Sequence, residues 1–88
     1  MTWIINRTSQ FEKNYKNLGP YLKEKFKSNF SKFLIDYKTS SLNTHKLKWK
    51  LSNYYSSKID YDYRFITLID FQSDTITLVN IWNHSIYK

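Results

Sequence analysis

The spacing of apolar positions changes once along the chain, dividing it into a helical part and a strand part. Thr2-Trp3-Ile4-Ile5-Asn6 is a short β-rich run that predicts a strand. Ser9-Gln10-Phe11-Glu12 follows with the residue types of a capping box, and Phe11, Tyr15 and Leu18 recur at helical spacing. Gly19-Pro20 ends this helix and sets proline in the first turn of the next. Leu22, Phe26, Phe30, Phe33, Leu34 and Tyr37 then form one apolar stripe, with Lys23, Lys27, Lys32 and Lys38 mostly off it. That pattern predicts an amphipathic second helix with a core face and a basic exterior.

Neither period holds from Thr39 to Thr44, which reads as a loop delivering His45-Lys46-Leu47-Lys48-Trp49-Lys50. Beyond it, Tyr54 to Ile59, Tyr63 to Phe71 and Thr75 to Ile81 are rich in aromatic and β-branched residues. Asp60-Tyr61-Asp62 and Gln72-Ser73-Asp74 separate them, which predicts three antiparallel strands joined by tight turns. The expected architecture is α+β, in the order β-α-α-β-β-β, a mainly antiparallel sheet covered on one face by a helical hairpin.

Composition limits what such a chain does. Its 88 residues are expected to form a single domain, 1–88, burying about 60–65% of the unfolded surface around one core. Apolar residues at 41% and aromatics at 19% supply more core material than a disordered chain carries. There is no cysteine, so packing alone must hold the fold, and a reducing cytoplasm suits it. No apolar run approaches the ~18 residues of a membrane span, and no secretory leader is evident, so a cytoplasmic location is expected.

The net charge of +7 is unevenly placed. Residues 1 to 58 hold twelve Lys/Arg against three acids, net +9, and residues 59 to 88 hold two against four, net −2. A field of that sign favours phosphate backbones and acidic proteins.

A single glycine excludes glycine-rich phosphate loops and nucleophile elbows, and two histidines with scattered aspartates make a poor metal site. Metal-independent chemistry without a cofactor is therefore expected. Cleaving RNA this way needs a base for the 2′-hydroxyl, an acid for the leaving 5′-oxygen, and cations for the charge on phosphorus. His45 and His84 are the two side chains whose unperturbed pKa lies near 7. Arg64 interrupts an otherwise apolar strand, on the face of Ile66 and Leu68 and opposite Tyr63 and Phe65. Either it pairs with a strand aspartate or it presents its planar fork to a phosphate. Lys46, Lys48, Lys50 and Lys58 add charge nearby, and Tyr87 either stacks on a base or covers the core's edge.

Taken in order, His45-x-Leu47-Lys48-x-x-Leu51-Ser52-x-Tyr54-Tyr55-Ser56-x-Lys58-Ile59-x-x-Asp62-Tyr63-Arg64, Asp70, Ile76-x-Leu78 and His84-x-x-Tyr87 resemble the RelE/ParE toxin superfamily. The likeness is greatest to its RelE, YoeB and YafQ branches and covers residues 42 to 88 in detail. It implies the toxin of a type II toxin-antitoxin module, a ribosome-dependent endoribonuclease that cleaves messenger RNA in the ribosomal A site. It also implies an acidic antitoxin partner and a toxin–antitoxin hetero-oligomer. By the same resemblance, His45 and His84 fall at general acid or base positions, Arg64 at a phosphate contact and Tyr87 at a terminal base-packing aromatic. Asp62, Tyr63 and Lys58 fall at positions functional in the YafQ-like branch. Trp49, Asn53 and Trp82 stand where the family usually has glycine. A ParE-like gyrase poison and a non-toxic RNA-binding domain are the alternatives on the same fold.

Overall fold

A computed structural model of the chain describes residues 2–47 and 53–83. Strand β1 (Ile4–Arg7) leads to helix α1 (Ser9–Lys16) and helix α2 (Pro20–Ile35). A single 3₁₀ turn (Ser40–Leu42) precedes β2 (His45–Lys46), β3 (Tyr54–Lys58), β4 (Tyr63–Asp70) and β5 (Thr75–Asn83). The strands form one sheet in the order β1-β5-β4-β3-β2, with β1 parallel to β5 and every other pair antiparallel. The expected α+β arrangement is present, with one addition. His45 and Lys46, expected in a loop, pair as a short outer strand with Ser56 and Tyr55. Two residues are too few to show a period, and only the partner strand reveals them.

Period-two alternation decides which strand residues meet the helices, with a shift of one residue in β5 at Val79, where adjacent Ile66 and Thr67 of β4 lie opposite Asn80 and Leu78. Tyr55, Ile59, Phe65, Ile69, Ile76, Leu78 and Ile81 are buried in one cluster with Phe11, Leu18, Phe26, Phe33 and Leu42. Phe65 is fully buried at its centre. The rings of Phe26, Phe30 and Phe33 meet it nearly edge-on at 5.3, 6.1 and 5.4 Å between centroids, the geometry the ring quadrupoles favour. The stripe on α2 is thus core, as its spacing predicts. Tyr37 lies just beyond the helix and packs on Tyr55 and Phe71.

The helix ends differ in detail from expectation. Thr8, not Ser9, caps α1: its Oγ1 accepts from the Phe11 amide at 3.0 Å, so Phe11 takes the position where a capping box needs Glu or Gln. Gly19 does not terminate α1 in a left-handed turn; α1 ends at Lys16 with Asn17 as its C-cap, and Gly19 is the N-cap of α2.

Thr8 also starts the sealing of β5. Pairing with β1 reaches only Leu78, which would leave the rest of that side of β5 an open edge. There the Thr8 hydroxyl donates to the Val79 carbonyl at 2.7 Å, and Asn14 Nδ2 donates to Asn80 Oδ1 at 2.6 Å and to the Ile81 carbonyl at 3.5 Å. Strand β5 is therefore held on both sides along most of its length. No helix among the described residues is long and apolar enough to cross a membrane.

Candidate nucleic-acid interface and active site

Cross-strand partners share a face, so the register also specifies the side of the sheet turned away from the helices. His45 lies opposite Ser56, and Ser56 opposite Ile66. One step along the same face, Lys58 lies opposite Arg64, and Arg64 opposite Trp82. The fold thus assembles His45, Lys58 and Arg64 on one surface from three strands and two distant stretches of sequence.

His45 is exposed, and its backbone is fixed from behind. Leu42 is fully buried, and the Thr44 and Ser57 hydroxyls share a hydrogen bond at 2.7 Å. His45 Nδ1 lies 3.1 Å from the Asn43 carbonyl. A carbonyl only accepts, so this bond places the hydrogen on Nδ1. The neutral ring then presents the lone pair of Nε2, the form a proton acceptor needs.

Arg64 is half-buried and bonded to backbone alone among the described residues. Its Nη1 donates to the carbonyls of Asp60 (2.7 Å), Tyr63 (3.0 Å) and Tyr61 (3.1 Å), the turn between β3 and β4. Of the two structural possibilities for this arginine, pairing with a strand aspartate is not realised: no carboxylate among the described residues lies within ion-pair distance of it. The contacts fix the guanidinium plane without neutralising its charge. Three of its five hydrogens, on Nε and Nη2, remain outside the clamp, and that edge has the two-donor geometry that matches a phosphate.

The other expected site residues separate. Asp62 is exposed in the β3–β4 turn. Tyr63 is half-buried against the core on the helix side and opposite Asn83, while its carbonyl helps to hold Arg64. Lys46 pairs with Tyr55 and so lies on the opposite face from His45, exposed at the sheet's edge. Lys48, Lys50, His84 and Tyr87 lie outside the described residues, although His84 immediately follows Asn83, the last residue of β5. Among the described residues no three His, Cys, Asp or Glu side chains gather in a way that would hold a metal.

Two features of this surface lie outside the residues expected from the sequence. Ser56 is buried between His45 and Ile66, and counting back two positions from Lys58 along its strand was signal enough to find it. The carbonyls that clamp Arg64 leave no mark in the sequence, because every residue carries one.

No family model matches the sequence, and no curated protein matches it. Solved structures do. A chain of the archaeal RelE–RelB complex from Pyrococcus horikoshii OT3 superposes with a TM-score of 0.78 at 16% identity, covering 96% of this chain and 97% of that one. YafQ from E. coli strain BL21(DE3) gives 0.76 at 15%, with 98% of each chain covered. A chain of the heterotetrameric YoeB–YefM toxin-antitoxin complex from Staphylococcus aureus gives 0.77 at 19%, covering 96% and 99%. Together with the strand order and the position of the helices, these matches show that the chain has the RelE-type toxin fold.

Proposed function

We propose that the protein is the toxin of a toxin-antitoxin pair and acts as a metal-independent endoribonuclease on messenger RNA at the ribosome. The observation that carries this reading is the shared face of His45, Lys58 and Arg64. In the reaction, His45 Nε2 takes the proton of the 2′-hydroxyl, and the 2′-oxygen attacks the adjacent phosphorus. The bond to the 5′-oxygen breaks as His84 donates a proton to it, leaving a 2′,3′-cyclic phosphate. Arg64, through Nε and Nη2, and Lys48 and Lys58 through their ammonium groups stabilise the charge that grows on the non-bridging oxygens. Lys46 and Lys50 add long-range attraction for the RNA, and Tyr87 orients the base. Positioned proton transfer of this kind contributes on the order of 10²–10⁴-fold.

The partner would be an acidic antitoxin, attracted by the same field that draws RNA. The similar YoeB–YefM structure is a toxin-antitoxin heterotetramer, which supports this reading.

The deciding experiment expresses the wild type and His84→Ala and maps the ends of translated messages. The wild type should arrest growth with cleavage inside coding regions, and the variant should do neither. Equal arrest by both with intact messages overturns the nuclease. If the pure protein then inhibits gyrase supercoiling, the gyrase poison replaces it.

A further inference from the structure

Tyr61 stands at the tip of the β3–β4 turn with 80% of its surface exposed, among the most exposed large apolar or aromatic side chains of the described residues. No packing explains it: no ring partner or side-chain hydrogen bond of Tyr61 occurs among the described residues. Its backbone, by contrast, is tightly held. The Ile59 amide donates to the Tyr63 carbonyl at 2.9 Å, the Tyr63 amide to the Asp60 carbonyl at 3.3 Å, and Arg64 Nη1 to the carbonyl of Tyr61 itself at 3.1 Å. A held turn thus presents a solvated aromatic ring within one side chain's length of a guanidinium that no carboxylate among the described residues neutralises.

From this juxtaposition we infer that Tyr61 forms a base-stacking subsite: it takes the nucleobase next to the phosphate held at Arg64. The inference rests on the reading of Arg64 as a phosphate contact given above. Three properties favour a base over other ligands. An aromatic face beside a cation is the usual pairing for single-stranded nucleic acid, where the cation takes the backbone and the ring takes the base. A ring on a held turn loses little freedom on binding. Finally, Asp60 and Asp62 flank Tyr61, and their charge disfavours a phosphate at the turn's tip while leaving an uncharged base unaffected. Because every base has a π-face, the subsite should tolerate all four.

The test measures fluorescence anisotropy of a labelled single-stranded RNA whose 2′-hydroxyls are methylated, so that binding is seen without cleavage. Tyr61→Ala should bind about ten-fold or more weaker, and Tyr61→Phe within about two-fold of wild type. The loss should be the same at low and high salt, since no charge is removed. Tyr21→Ala, at a 64% exposed tyrosine on the helical side, should bind as the wild type does. Near-normal binding by Tyr61→Ala while Arg64→Ala is weakened overturns the base subsite and leaves the phosphate contact standing. An equal loss in Tyr21→Ala also overturns it, since the effect would not be local. Failure of the wild type to bind overturns both readings together.

Discussion

Lys58 and Arg64 face each other directly across β3 and β4, two cations in one cross-strand pair on the face away from the helices. Like charges in that position destabilise a sheet by about 0.2–1 kcal/mol. A surface selected for stability alone would place an acid at one of the two. Lys58→Gln should therefore raise the melting temperature by about 1–6 °C while weakening RNA binding and lowering its salt dependence. Circular dichroism and binding titrations at several salt concentrations measure both. A variant that gains stability without losing affinity would remove Lys58 from the site.

The clamp on Arg64 separates charge from shape. Arg64→Lys keeps the cation but loses the planar fork, whose Nη1 holds the turn while Nε and Nη2 remain outside it. Message cleavage should fall about 10²-fold or more, measured by primer extension on translated transcripts. Cleavage at the wild-type rate would mean that charge alone suffices and that the fork is incidental.

Gly19 sits at the N-cap of α2 with φ −69° and ψ 166°, a conformation open to any residue, and a Cβ there would meet nothing within 4 Å. It makes no side-chain cap bond. Gly19→Ser should stabilise the fold by about 0.5–1 kcal/mol, through a new cap and a less flexible unfolded chain. An increase in the urea midpoint at unchanged slope is the expected result, and an unchanged midpoint would contradict it.

Asp70 closes the β4–β5 turn by accepting from the Gln72 and Ser73 amides at 3.0 and 3.3 Å. Bonds to Ser73, then to Gln72, favour the carboxylate and hold its pKa below the ordinary aspartate value. A depressed folded-state pKa contributes stability above the unfolded value, near pH 4, and that contribution is lost as pH falls through the folded one. Asp70→Asn should accordingly be less stable than the wild type at neutral pH, with the difference closing in acid. A pH-independent difference would assign the effect to shape rather than charge.

Much of this molecule is legible in its sequence because its elements repeat. Phe26, Phe30 and Phe33 repeat at helical spacing, and Phe65 with Ile69, like Ile76 with Leu78, recurs at the even spacing of one strand face. Arg64 was visible as an anomaly, a charge inside an apolar strand. What escaped depends on pairing. His45 belongs to a strand only because β3 lies beside it, and Lys46 and Lys58, alike as basic residues near the site, are sorted to opposite faces by register. The α1 cap falls at Thr8 rather than Ser9, a one-residue difference that local residue types leave open.

The parallel pairing of β1 with β5 joins the beginning of the chain to almost its end: the contact from Thr8 to Val79 spans 71 residues. Strand β5 also lies inside the sheet, between β1 and β4. A nascent chain therefore cannot complete its sheet until the last strand has left the exit tunnel, since long-range pairing must wait for both partners. Any fragment that ends before β5 lacks the strand that joins β1 to β4. Stalled chains ending before Thr75 should be readily digested by protease, and resistance in such chains would show that the sheet forms earlier.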